Sequence, residues 1–93
     1  MKTVTSDTFL QLRDTGGLIL HVERVFIQVT TIDGIASQKR VVVPVGLLMR
    51  DRASGVTRFR IDASGELYAT WRDAARELED RVRPEPPDWE QIE

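Results

Sequence analysis

The chain of 93 residues contains no cysteine and a single histidine, His21. The absence of thiols excludes disulfides, thiol catalysis and thiolate metal sites, and it favours a cytoplasmic protein. A metal site needs several convergent ligands, and the sequence shows neither an EF-hand spacing nor a phosphate-binding loop. No Gly-x-Ser-x-Gly elbow or paired nucleophile accompanies the histidine. We therefore expect no metal, no cofactor and no enzymatic activity.

Long hydrophobic runs are also absent. The longest extends from Val41 to Met49 and is interrupted by Pro44 and Gly46, whereas a membrane-spanning helix needs about 20 apolar residues. The chain begins without the basic, apolar and small-residue pattern of a signal peptide. We expect a protein that is neither secreted nor inserted in a membrane.

Asparagine is missing as well, and eleven arginines stand against two lysines. This usage is typical of a GC-rich bacterial or phage genome. Charge is divided unevenly along the chain: residues 1–61 contain nine basic and five acidic side chains, and residues 62–93 contain four and ten. The net charges of +4 and −6 indicate internal attraction, head-to-tail association or a charged partner.

An amphipathic helix is predicted between residues 71 and 83. Its apolar stripe has the spacing i, i+3, i+4, i+7 and i+11 and consists of Trp71, Ala74, Ala75, Leu78 and Val82. Thr70 is placed to cap the first turn, Asp73 lies near the positive end of the helix dipole, and Pro84 ends the helix. The stripe must be buried against the strands that precede it.

Two strands are predicted on either side of Asp33-Gly34, a common hairpin turn. The first covers Leu18–Thr30, and its alternation changes phase near Glu23 or Arg24, which predicts a β-bulge or a break there. A strict two-residue loop would pair Ile27 with Arg40. We prefer a loop one residue longer, because it pairs Ile27 with Val41 and Val25 with Val43.

A second hairpin is predicted from residues 47–51 and 56–61. If Arg52 opposes Val56, the apolar side chains of Leu47, Met49, Phe59 and Ile61 share one face. The other face then carries four arginines: Arg50, Arg52, Arg58 and Arg60. A less favoured interpretation makes residues 47–53 a short helix that ends at Gly55.

Together these patterns predict an α+β domain over residues 1–83. Its antiparallel sheet has about four strands from two hairpins, packed by the C-terminal amphipathic helix. Ser6 could cap a short N-terminal helix over residues 7–15. Residues 84–93 form an acidic, proline-rich tail that begins with an extended, polyproline-like stretch.

Three groups of residues are candidate sites. The four arginines could bind an anion or a partner, since guanidinium groups suit phosphates and carboxylates, although a solvated strand face is the favoured interpretation. Trp89 and Ile92 could anchor the tail in a groove, more readily on the same molecule than on a partner. Val42, Pro44 and Leu48 add apolar surface on the side that the helix leaves uncovered, and they predict a dimer interface.

The function that these features favour is a non-enzymatic protein–protein interaction module that forms a homodimer. One alternative is a small inhibitor or antitoxin-like protein that occupies a basic site on a larger partner with its acidic helix and tail. Another is a nucleic-acid binder that uses the arginine face. Sheets that bind single strands normally add aromatic rings for stacking, and Phe59 is expected on the opposite face, so nucleic acid is not favoured.

Overall fold

The computed structural model describes residues 2–62 and 65–82, which form a twisted sheet with a helix packed on one side. The elements are β1 (Lys2–Asp14), β2 (Ile19–Ile32), β3 (Ile35–Ala53), β4 (Val56–Ile61), β5 (Leu67–Tyr68) and α1 (Trp71–Val82). The strands are antiparallel and follow their chain order, β1-β2-β3-β4-β5. The predicted α+β class is confirmed, with five strands instead of about four.

The molecule is long and narrow, with principal dimensions of 59 × 22 × 17 Å. Helix α1 packs against β3, β4 and β5, and we call the part of the sheet beneath it the body. Beyond the body, β1, β2 and β3 continue past α1. We call this extension, residues 2–6, 26–32 and 35–41, the arm.

The core of the body lies between the sheet and α1. Its buried side chains are Leu20, Val22, Val45, Leu48, Ile61, Ala74, Ala75 and Leu78. A Cβ atom on Gly46 would lie 2.8 Å from Leu78 Cδ2, so the missing side chain lets the helix approach the sheet closely.

The predicted helix is confirmed, including its cap. The backbone N–H of Asp73 donates to Thr70 Oγ1 at 3.2 Å. On the solvent side, Arg81 Nε lies 3.3 Å from Glu77 Oε1, one turn away. The last residue of the predicted apolar stripe, Val82, is not buried against the sheet, since it is 51% exposed.

The predicted N-terminal helix is wrong, because residues 2–14 form the edge strand β1. β1 pairs with β2 from Lys2↔Thr31 to Asp14↔Leu20. Leu10 and Leu12 pack against the core, as residues two apart on a strand do when they share one face. Pairing with β2 therefore outweighs the local capping signal at Ser6.

The first hairpin has the strict two-residue loop, so the longer loop is wrong. Asp33 and Gly34 have φ values of 52° and 79°, as a type I′ turn requires, and Ile32 faces Ile35 across it. Ile27 accordingly pairs with Arg40.

An irregularity does occur beside Glu23, where we predicted one. Val22 pairs with Gly46 and Glu23 with Pro44, so the extra residue is Val45 of β3, and β2 itself is continuous. A second register shift separates Asp7 from Phe9 in β1. These bulges change the phase of burial along the sheet.

The second hairpin forms, and residues 47–53 are strand, not helix. Its turn is Ser54-Gly55, with φ values of 54° and 76°, and Ala53 pairs with Val56. The predicted pairing of Arg52 with Val56 is therefore wrong by one residue. A shift of one residue turns every side chain of a strand to the other face.

Candidate interaction surfaces

The register of the second hairpin separates the four arginines. Leu48 pairs with Ile61 and Arg50 with Phe59, so Arg50 and Arg52 project to the side that carries α1. Arg58 and Arg60 project to the opposite side. The single arginine face expected from the sequence does not form.

Arg50 holds the β1–β2 turn against β3. Its guanidinium donates to the carbonyl of Gly17 at 2.9 Å and lies 3.0 Å from Asp14 Oδ2. The backbone N–H of Arg50 also donates to the carbonyl of Leu18 at 2.8 Å. These contacts indicate a structural role for an arginine that the sequence offered as an anion site.

Asp14 completes this arrangement at the turn. Its Oδ1 accepts hydrogen bonds from the backbone N–H groups of Gly17 at 2.7 Å and Gly16 at 3.2 Å. These two bonds and the neighbouring Arg50 lower the pKa of the Asp14 carboxyl group below its ordinary value. An open cleft of about 430 Å³ beside the turn is lined by Gly16, Gly17, Leu18, Arg50, Asp51 and Arg52.

Arg58 and Arg60 have a different environment. Arg58 faces Asp51 across the strands, and Arg60 faces Met49. The acidic neighbour that adjacent arginines require is therefore Asp51, on the strand beside them. Arg58 also donates to the carbonyl of Thr57 at 3.2 Å.

The side of the sheet away from α1 carries an apolar surface, which we call the outer strip. Arg24 bonds to Glu79 of α1, so the next residue, Val25, faces the other way, together with Ile27 and Val29. Val4 and Phe9 of β1 adjoin this row on one side, and Val42 of β3 adjoins it on the other. The outer strip consists of Val4, Phe9, Ile27, Val29, Val42 and Pro44, and the Val25 side chain beneath it is fully buried.

The outer strip contains two of the three residues predicted to form a dimer interface. Val42 is 39% exposed and Pro44 is exposed, both on this side. Leu48 is different, because it is fully buried in the core beneath α1. Its assignment to the uncovered side is wrong, and the cause is the bulge at Val45, which shifts the alternation of β3.

Charge is sparse on the part of this side that belongs to the arm. Lys2 lies at its end, and Arg40 pairs with Ile27. The Arg40 guanidinium lies 5.8 Å from the centre of the Phe9 ring and donates to Gln11 Oε1. Arg40 is thus held at the border of the apolar row.

A second cleft lies between the edge strand β1 and the first turns of α1. Its volume is about 280 Å³, and we call it the β1–α1 cleft. It is lined by Phe9, Leu10, Arg24, Trp71, Arg72, Arg76 and Glu79. Arg24 and Glu79 form an ion pair of 2.5 Å on its floor, and the Arg72 guanidinium lies 5.1 Å from the centre of the Trp71 ring. Sequence patterns missed this cleft, because its two walls are more than 55 residues apart in the chain.

Three further polar side chains in the described part of the chain have environments of their own. His21 is half-buried and pairs with Arg13 and Leu47 in the sheet. The Tyr68 hydroxyl donates to Glu66 Oε2 at 2.8 Å, which raises the pKa of Tyr68. Gln28 in the arm is buried, and its Nε2 finds no hydrogen-bond partner among residues 2–62 and 65–82.

Among residues 2–62 and 65–82, no three His, Asp or Glu side chains are grouped as metal ligands would be. The helix in this part of the chain is too short and too polar to cross a bilayer. Trp89 and Ile92, the predicted tail anchors, lie outside the described residues. Comparisons with protein-family models, with curated proteins and with solved structures find no match for this chain.

Proposed function

We propose that the protein is a non-enzymatic protein-binding module that associates with a second copy of itself through the outer strip. The observation that carries this proposal is the continuity of apolar side chains on a side of the sheet that α1 leaves open. Val4 and Phe9 are about half exposed at 50% and 49%, and both adjoin the row on β2. Contiguous apolar patches on a protein surface commonly mark binding sites.

A second copy fits this surface better than a charged ligand does. The strip is rich in β-branched residues, and apolar side chains of this kind interdigitate when two sheets pack face to face. A two-fold axis would place the strip of one copy on that of the other, in a self-complementary contact. Arg40 and Lys2 lie at its margins, where charged groups can remain hydrated.

The separation of the arginines weakens the nucleic-acid alternative. Arg50 is bound to Asp14 and to a backbone carbonyl, and Arg58 faces Asp51. A phosphate backbone would meet only two of the four guanidinium groups on either side of the sheet. The inhibitor-like alternative depends on the tail, which lies outside the described residues.

Sedimentation equilibrium at micromolar concentration tests the proposal. We expect a dimer for the wild-type chain and a monomer for Val42→Asp, because the new carboxylate would be buried in the interface without a partner. Val56→Asp is the matched control, since Val56 is similarly exposed at 44% but lies at the far end of β4, beyond the outer strip. A wild-type monomer would contradict the proposal, as would equal dissociation of both variants.

A further inference from the structure

The β1–α1 cleft combines aromatic and cationic walls. Trp71, which is half-buried, lines the cleft from α1, and Phe9 and Leu10 line it from β1. Arg72 and Arg76 lie one helical turn apart on the α1 wall. An extended segment with an aromatic anchor and acidic neighbours has the chemistry that these walls would bind.

Three positive charges and one negative charge line the cleft. Glu79 compensates Arg24 through their ion pair, and no further carboxylate among the described residues that line the cleft faces Arg72 and Arg76. Arg76 is exposed, and no ion pair joins it to another residue in the described part of the chain. The cleft also lies at the N-terminal end of α1, where the helix dipole adds positive potential.

We propose that the β1–α1 cleft binds the C-terminal segment of the same chain, residues 83–93. This segment contains one arginine, four carboxylates and an aromatic anchor, Trp89. The indole would lie against Trp71 and Leu10. The carboxylates on either side of it, Asp88 and Glu90, would face the arginines of α1.

The connecting chain is long enough for this contact. α1 has 12 residues and is therefore about 18 Å long, at about 1.5 Å per residue. Residues 83–89 span about 22 Å as a polyproline-like segment at about 3.1 Å per residue. Three prolines, Pro84, Pro86 and Pro87, favour that conformation. After leaving α1, the segment can turn back along the Arg76 side of the helix and reach its first turn.

Attachment to the same chain makes weak contacts sufficient. A short tether gives the segment an effective concentration on the order of millimolar. Exposed ion pairs contribute only about 0–1 kcal/mol each, so burial of the indole supplies most of the affinity and the charges set its orientation. The cleft places two cations, neither of them in an ion pair among the described residues, beside the Trp71 ring.

The full-length Trp71→Phe variant tests the proposal, because it keeps an aromatic ring in the cleft and leaves Trp89 as the only tryptophan. We expect its emission to be blue-shifted, and less quenched by iodide, than that of a free peptide of residues 83–93. Adding Arg76→Glu should move both readouts toward those of the peptide. A further Asp88→Arg exchange should restore them by reversing both charges.

Arg58→Glu in the same Trp71→Phe background is the control, since Arg58 is also exposed and lies on the opposite side of the sheet. It should leave the emission unchanged. Peptide-like emission in Trp71→Phe would overturn the proposal, and so would equal effects of Arg58→Glu and Arg76→Glu. Emission that depends on protein concentration would show that the segment binds another copy, which also overturns it. Because Val42→Asp acts on the outer strip, the sedimentation result is independent of this one.

Discussion

The body and the arm use the same three strands but stabilise them in different ways. In the body, Leu20, Val22 and Leu48 are fully buried on one side of the sheet because α1 covers them. In the arm and at its junction with the body, Val25 and Phe26 are both buried although they point to opposite sides.

This difference shows where the stability of the arm originates. A few strands without a packed layer are marginally stable in water, so the arm depends on strands that the body holds in register. Its edge on β3 carries Lys39 and Arg40, and Pro44 follows where the arm meets the body; all three discourage pairing with further strands. The arm therefore resists strand pairing at this edge but is apolar on its outer side. This combination favours association through the faces of two sheets.

The largest expected effect is the loss of stability when a core side chain of the body is truncated. Leu78→Ala in the body should lower the free energy of unfolding by about 2–5 kcal/mol, because Leu78 is buried against Gly46 and its loss leaves a cavity. Asp80→Ala, on the exposed side of α1, should change it by no more than about 0.5 kcal/mol. Chemical denaturation measures both. Equal losses would mean that the body is not organised around α1.

A smaller effect is expected at the boundary between the two regions, where Arg24 of β2 meets Glu79 of α1. Their side chains are 20% and 26% exposed, so a double-mutant cycle with alanine should give a coupling energy of about 0.5–1 kcal/mol. High salt should reduce it. No measurable coupling would show that apolar packing alone fixes the helix on the sheet.

The smallest effect concerns the turn at the far end of the body. The lowered pKa of Asp14 means that its carboxylate stabilises the folded state above the ordinary pKa of 3.8. This contribution declines as the pH falls below that value and is lost once the pH passes through the lowered pKa. Asp14→Asn should therefore be less stable than the wild-type chain at pH 7. Denaturation as a function of pH should show the difference shrinking in acid, and a constant difference would contradict the assignment.

Local sequence was sufficient to predict an element when its hydrophobic period and the signals for its ends both lie within or next to that element. The 3.6-residue spacing from Trp71 to Leu78, with Thr70 before it, predicted α1 and its buried side. Asp33-Gly34 marked the first hairpin, and the change of phase near Glu23 marked the region of a bulge. The helix and the turn depend on residues that are close together in the chain, whereas the extra residue of the bulge is Val45 on the neighbouring strand.

The tertiary structure decided which side of the sheet each strand residue faces. Side chains alternate with a period of two, so a single residue in a turn or bulge reverses the assignment of a whole strand. Val45 moved Leu48 into the core, and the Ser54-Gly55 turn divided the arginines between two sides. β1 became a strand because β2 offered it a partner along its full length. Such choices depend on pairing energies between distant segments, which local patterns do not contain.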